Sequence, residues 1–300
     1  MRIGIDLGGT KIEGILMDAG GAIAARHRLP TPQGDYDGTI RTIGNVIAHL
    51  TSSLDGATAS PVGVGMPGSI SRRTGLIKNA NSTCLNGRPF TDDLAAHLKR
   101  DVRVANDANC FALSEASDGA AAGKRVVFGV ILGTGVGGGV VVDGRILDGI
   151  NGIGGEWGHN PLPWPTPAER DGPACYCGKT GCIETWVSGP GFAADFERTN
   201  GERLTAEEII TAAANSSACA QAELETLGQR IGKSLATIVN VIDPDVIVLG
   251  GGLSNIAALY TLIPAALSRY AFSDGVSTPV VKARHGDSSG VRGAAWLWPA

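Results

Sequence analysis

Three of the chain's six cysteines, Cys175, Cys177 and Cys182, fall within eight residues, and His159 precedes them in the run WGHNPLP. Three thiolates and one imidazole are the donor set of a closed tetrahedral zinc site. The single residue between Cys175 and Cys177 is tighter than the usual two to four. Spacing alone therefore also allows three reduced cysteines in a loop. A second cluster is built of amide and carboxylate. The run VRVANDAN puts Asn106 and Asp107 between a β-branched strand and a helix starting near Ala108, where active-site residues of α/β proteins gather. Asn and Asp are also favoured helix caps, and the residues alone leave both readings open.

Glycine carries the third signal. LGGTKIEGILMD from Leu7 and LGTGVGGGVVVD from Leu132 match in spacing through Asp18 and Asp143. Each reads as strand, Gly/Thr turn, strand and a closing Asp/Gly turn. Two such hairpins, exposing backbone N–H groups at Gly8, Gly9, Thr10 and Lys11 and at Gly133, Thr134 and Gly135, form the concavities that phosphates occupy. The alternative is a chance match of two glycine-rich hairpins. Residues 133–138, GTGVGG, satisfy a dinucleotide fingerprint, but that fingerprint must open a helix and here a β-branched strand follows. The GKT at 178–180 has Pro173 where a phosphate loop needs its first glycine. Gly250, Gly251 and Gly252 end the strand DVIVLGGG before a helix expected near Asn255. Taken alone they read as strand-to-helix packing; with the two hairpins they favour an ATP cleft.

Elements that must position these groups follow from apolar periodicity. Strands are expected over Arg2–Leu7, Val62–Gly65, Val102–Ala105, Val126–Leu132 and Asp245–Leu249, and helices over Tyr36–Ser53, Thr91–Arg100, Ala108–Ala122, Thr205–Ala214 and Ala218–Ile242. The alternation is that of an α/β protein.

Composition bounds the function. With 25 Lys and Arg against 29 Asp and Glu among 300 residues, the net charge is −4, which argues against a nucleic-acid partner. Hydrophobic residues are 43% and charged ones 18%, which argues for a large core over disorder. The 44 glycines are about twice the usual share of roughly 7%. Apolar runs are broken well short of the roughly 18 residues of a membrane span, and MRIGIDLGG enters a strand pattern at once, so no signal segment, no membrane association and a cytoplasmic location are expected. Cys84, Cys110 and Cys219 stand alone and read as small core residues.

The motifs in combination resemble the ROK family of bacterial sugar kinases and sugar-responsive repressors, within the actin-like ATPase superfamily. The resemblance rests on GIDLGGTK at 4–11, VANDANC at 104–110, GTGVGGG at 133–139, GGEWGHNPL at 154–162, CYCGKTGCIET at 175–185 and DVIVLGGG at 245–252. KNANSTCLNG at 78–87 and HGDSSGVRGAAWLWP at 285–299 are similar to the fructokinase, or manno(fructo)kinase, branch.

The resemblance implies an actin-like ATPase (ribonuclease H-like) α/β fold of two lobes with a cleft between them. Residues 1–117 with 289–300 are expected to form the smaller lobe and 118–288 the larger, zinc-bearing one, with hinges near 105–120 and Asp287–Gly290. It implies an ATP-dependent kinase, with D-fructose as the expected sugar, and mannose, glucose or an N-acetylhexosamine as alternatives. Asp107 would be the general base, with Gly68, Asn81, Asn106, Glu156, His159 and Glu184 around the sugar. Glu156 and Glu184 read alternatively as solvated charges. Asp6, at the end of an apolar strand, reads as a Mg²⁺ ligand, because a buried carboxylate without a cation is costly. The two hairpin turns, with Gly250, Gly251 and Gly252, would hold ATP, although Lys11 also reads as a surface lysine. His159, Cys175, Cys177 and Cys182 match the family's zinc motif, and a structural Zn²⁺ would organise the sugar pocket. A homodimer is implied as well. A non-catalytic sugar-sensing regulator is the reading from another class; repressors of the family carry a helix-turn-helix ahead of the first strand, where this sequence has five residues before Asp6.

Overall fold

The computed structural model describes residues 1–52 and 59–299. It is a mixed α/β protein that divides into two compact units, residues 1–123, 139–155 and 284–300 in one and 124–138 with 156–283 in the other. The chain runs through β1 (Arg2–Leu7), β2 (Lys11–Met17), β3 (Ile23–Pro30), α1 (Tyr36–Thr51), β4 (Val62–Met66), β5 (Ser69–Ile70), β6 (Ile77–Lys78), α2 (Phe90–Leu98), β7 (Val102–Asn106) and α3 (Asp107–Ser117). It continues through β8 (Val126–Leu132), β9 (Val136–Val142), β10 (Arg145–Ile146), α4 (Glu184–Val187), α5 (Gly189–Asn200), α6 (Ala206–Ala214), α7 (Ala218–Ile242), β11 (Val246–Gly250), α8 (Leu259–Tyr270), β12 (Val280–Lys282) and α9 (Ser289–Trp296).

The first sheet has the order β3-β2-β1-β4-β7. β1, β2 and β3 are antiparallel neighbours, while β4 and β7 run parallel to β1. The parallel register aligns Asp6 with Gly65 and Gly65 with Ala105. The carboxyl ends of three strands therefore meet in one row, the place where open α/β sheets bind ligands. Alternation along β1 sets the two faces. Ile3, Ile5 and Leu7 are buried against Ile43, Val46 and Leu50 of α1. Complete burial of Ile3 and Ile5 contributes roughly 1.5–3 kcal/mol each. On the opposite face α9 lies directly on the sheet. A Cβ at Gly4 would stand 2.1 Å from the Val291 carbonyl oxygen, and one at Gly63 1.8 Å from that of Ala294. Only glycine permits that approach. Part of the glycine excess thus serves helix packing and not phosphate turns.

The second sheet has the order β10-β9-β8-β11-β12, with β8, β11 and β12 parallel. α7 buries Leu227, Ile231 and Leu235 completely. It also buries Arg230, whose guanidinium donates to Glu169 Oε1 at 2.7 Å and to Asp195, while Lys233 Nζ donates to Glu169 Oε2 at 3.0 Å. Burial alone would raise Glu169, but hydrogen bonds from Arg230, Thr166 N–H and Lys233 outweigh it and bring the carboxyl down to about 2. This network fastens the proline-rich segment before Cys175 to α7. Among the described residues no helix is long and apolar enough to cross a membrane.

Several expected boundaries shift for local reasons. α3 stops at Ser117, not Ala122, because the Glu115 carboxylate takes the Ala120 N–H at 2.8 Å. α2 ends at Leu98 because Lys99 turns left-handed at φ 52°. The helix expected near Asn255 is a single 3₁₀ turn over Gly252–Asn255, and α8 begins only at Leu259. α1 ends at Thr51; Ser53, included in the expected helix, lies outside the described residues. Cys110 is buried as expected, but Cys219 is exposed.

Candidate functional site

Asp6 ends the apolar run of β1, which drives its carboxyl to the edge of the core. Burial, the Asp107 carboxylate and the Glu13 carboxylate push it up to about 6, against a weaker downward pull from Lys11. Asp6 and Asp107 are therefore electrostatically coupled like charges, and a proton or a cation relieves the pair. Asp107 is exposed as the first residue of α3. The cap and the candidate site coincide. Asn106 is the N-cap, its Oδ1 accepting the Ala108 N–H at 2.9 Å and the Asn109 N–H at 3.4 Å, and its Nδ2 donates to Gly68 O at 3.0 Å. One Nδ2 hydrogen remains for a ligand. Gly68 is confined to glycine twice over: its φ is +80°, and a Cβ there would meet the Lys78 carbonyl oxygen at 2.6 Å. Asn81 is exposed next to Ala80, whose N–H and C=O are both bonded to the Asn86 amide at 2.9 Å. A cavity of about 850 Å³ lies against Gly68 and Asn106 and is also lined by Ser69, Arg72, Asn109 and Arg145.

The first glycine turn joins β1 to β2. Gly8 N–H bonds Lys11 O at 3.0 Å, and the carbonyls of Gly8, Gly9 and Thr10 are taken by Thr31 Oγ1, Gln33 Nε2 and Thr31 N. With its carbonyls tied back, the turn leaves Thr10 and Lys11 exposed. Thr31 and Gln33 were not expected; they lie some twenty residues downstream, and no local pattern marks them. Lys11 Nζ stands 3.8 Å from Glu13, a buried carboxylate that also pairs with Arg26 at 3.1 Å and Arg28 at 2.7 Å.

The second turn joins β8 to β9 with the same logic. Gly133 N–H bonds Gly135 O at 3.0 Å and Gly189 N–H bonds Gly133 O at 2.8 Å, leaving Thr134 exposed. Glu184 Oε2 accepts the Val136 N–H at 2.8 Å. Gly250 is the last residue of β11 opposite Ile131. A Cβ at Gly251 would reach the Leu132 carbonyl oxygen at 2.4 Å, so this glycine serves close packing beside the turn; Gly252 is open.

His159, Cys175, Cys177 and Cys182 bring their ligand atoms within 4.8 Å of one another. Cys175 Sγ lies 3.6 Å from His159 Nδ1, and Cys177 Sγ 3.6 Å from Cys182 Sγ. A tetrahedron of thiolates at about 2.3 Å from zinc has edges near 3.8 Å. The donor set and its spacing fit a structural zinc. The knuckle is shaped by Cys175 N–H to Lys179 O at 2.8 Å and Gly181 N–H to Pro173 O at 2.8 Å. Burial and the two neighbouring thiols push Cys182 up to about 12, whereas the Lys179 N–H draws Cys177 down. Trp157 anchors the stretch before the knuckle. It is buried edge-on to Phe128 at 5.9 Å and donates to Gly137 O at 3.0 Å, between an exposed Glu156 and His159. His159 Nε2 is 3.0 Å from Tyr176 Oη, a contact the sequence did not announce.

The chain matches the ROK family model over residues 2–300. It is 40% identical over 302 residues to an N-acetyl-D-glucosamine kinase of Photobacterium profundum, covering 99% of each chain. Its structure is similar to the ROK hexokinase of Thermus thermophilus, with a TM-score of 0.86 and 31% identity over 98% of this chain and 96% of that one. It is also similar to a ROK family glucokinase of Streptomyces griseus solved with glucose and AMPPNP, with a TM-score of 0.76 and 27% identity over 99% and 98%. The mixed α/β fold is the actin-like ATPase fold of those structures. From its second residue to its last, this chain belongs to the ROK family.

Proposed function

We propose that the protein is an ATP-dependent sugar kinase whose sugar is N-acetyl-D-glucosamine. The observation that carries the kinase reading is the exposed carboxylate of Asp107 at the head of α3, set at the carboxyl end of β7 and coupled to the half-buried Asp6. Asp107 takes the proton of the attacking sugar hydroxyl as its oxygen bonds to the γ-phosphorus. The bond from that phosphorus to the bridging oxygen breaks, and ADP leaves with the electron pair. The transition state is loose, so the carboxylate acts mainly by orienting the hydroxyl.

Asp6 is the candidate to hold Mg²⁺, which when bound neutralises charge on the phosphates. The Gly8 and Gly133 N–H groups, expected among the phosphate donors, are spent on Lys11 O and Gly135 O, so the turns would offer phosphate oxygens the N–H groups of Gly9 and Thr10 and of Thr134 and Gly135. Asn81, Asn106, Glu156, His159 and Glu184 are read as sugar contacts; His159, Cys175, Cys177 and Cys182 would hold a structural zinc, which would fix the His159 ring.

For the sugar, the full-length relative at 40% identity is an N-acetyl-D-glucosamine kinase, and fructose draws no comparable support. A coupled assay of ADP release with MgATP tests both levels. N-acetyl-D-glucosamine should give the highest kcat/KM among itself, fructose, mannose and glucose, and Asp107→Asn should abolish turnover. A lead for fructose would return the sugar to the first expectation, and no turnover with any sugar would remove the kinase reading.

A further inference from the structure

Glu184, read above as a sugar contact, is already engaged. Its Oε2 accepts the Val136 N–H at 2.8 Å, and a Cβ added at Gly135 would stand 2.8 Å from the same oxygen. At the other end of the short helix α4, Gly189 N–H donates to Gly133 O at 2.8 Å. Segment 184–189 therefore holds the second glycine turn at both ends. The segment has its own anchor. Thr185 N–H bonds the carbonyl of Cys182, itself a candidate zinc ligand, at 2.9 Å, and the preceding Ile183 N–H bonds the carbonyl of Asn160, next to His159, at 2.9 Å.

A carboxylate beside a turn meant for phosphate is electrostatically unfavourable unless it has another purpose. Here one oxygen fixes a backbone N–H of that turn, leaving the other for a second donor. We propose that Glu184 is a positioning residue for the nucleotide. Oε2 holds the 133–136 turn in its phosphate-binding shape, while Oε1 receives a sugar hydroxyl, so a single carboxylate couples occupancy by sugar to order in the nucleotide loop. This rests on the reading of 133–135 as a phosphate turn.

The test separates the two ideas by working without sugar, where a mere sugar contact has nothing to do. AMPPNP binding with Mg²⁺ is measured by calorimetry on the full chain, with zinc content determined for each protein. Glu184→Ala should weaken sugar-free AMPPNP binding about tenfold, the size of one charge-assisted hydrogen bond. Glu184→Gln keeps an acceptor for the Val136 N–H and should remain within about threefold of the wild type. Gly133→Asp, which places a carboxylate in the turn, checks the phosphate reading itself. If Gly133→Asp weakens AMPPNP and Glu184→Ala does not, the positioning role is overturned; if neither does, the phosphate turn falls with it. Should Glu184→Ala lose zinc, Glu184→Gln decides: a loss equal to that of Ala with zinc retained also overturns the proposal.

Discussion

Glu115 Oε1 and Ser289 Oγ form a 2.8 Å hydrogen bond although 174 residues separate them. The same carboxylate, fully buried, accepts the backbone N–H groups of Ala120 at 2.8 Å, Arg284 at 2.9 Å and His285 at 3.2 Å. It thus ends α3 and seats the start of α9 at once. Glu115→Ala would leave four donors facing an apolar gap, at about 1–3 kcal/mol for each one left unsatisfied. A total loss of at least about 3 kcal/mol is expected in urea denaturation, with Glu115→Gln milder because one acceptor oxygen survives.

The catalytic assignment makes a split prediction. Asp107→Asn keeps the shape of the side chain and the start of α3 but removes the base. Sugar affinity by calorimetry should stay within a few fold while kcat falls at least about 100-fold. A mutant with near-normal kcat takes Asp107 out of the proton transfer.

Asp6 has a pH signature. Its carboxyl sits near 6 instead of 3.8, through burial first and Asp107 second. Between those values the folded protein holds a proton that the unfolded chain has released, so unfolding releases protons and stability falls as pH rises through the window. In metal-free buffer, Asp6→Asn should therefore raise Tm relative to the wild type above pH 6 and narrow the gap towards pH 4. A gap independent of pH would sink the argument. The same mutant should lose activity with MgATP.

Removing zinc should cost stability and sugar affinity together. Without a cation, three thiol groups and an imidazole crowd within 4.8 Å, and the knuckle loses the centre that would join it to the Trp157–His159 turn. Treatment with a strong chelator is expected to lower Tm and raise KM for the sugar, with recovery on adding Zn²⁺. Full activity in a sample shown to be zinc-free would contradict it.

Arg230 offers a test remote from catalysis. Arg230→Leu removes the cation that Glu169 and Asp195 share but leaves Lys233 on Glu169 and Arg198 on Asp195, so the loss should fall below the roughly 3–5 kcal/mol of a fully broken buried pair. The loss should shrink as pH falls, because Glu169, held down to about 2 in part by Arg230, takes up a proton more readily in the variant, which is readable from denaturation curves at pH 3.5 and pH 7.

The residues that were legible in the sequence are those whose partners are close along the chain. α7 has the expected span, Ala218–Ile242, because its apolar period runs unbroken for 25 residues. The three cysteines of the knuckle read as a cluster because eight residues hold them, and Asp107 stood out by following a strand. Other features depend on contacts the sequence does not encode locally. Glu184 meets Val136 across 48 positions, and Thr31 meets Gly8 across 23. Gly251, read with its neighbours as part of an ATP cleft, packs against the Leu132 carbonyl instead, and nothing in the local sequence marks that contact. Sugar identity was the least legible, since it turns on hydroxyl positions that no spacing rule records.

Arg2 donates to the Trp298 carbonyl at 3.1 Å, across 296 residues, and β1 packs beneath α9 throughout. During synthesis β1, which ends at Leu7, emerges well ahead of the helix that covers one of its faces, which starts at Ser289. At about 5–20 residues per second, the sheet face on which Ile15 and Met17 pack against Val291 and Ala295 waits roughly 15–60 s for its cover. That interval makes the first unit a client for whatever shields nascent chains, and it makes trimming α9 a defect of folding before it can be a defect of activity.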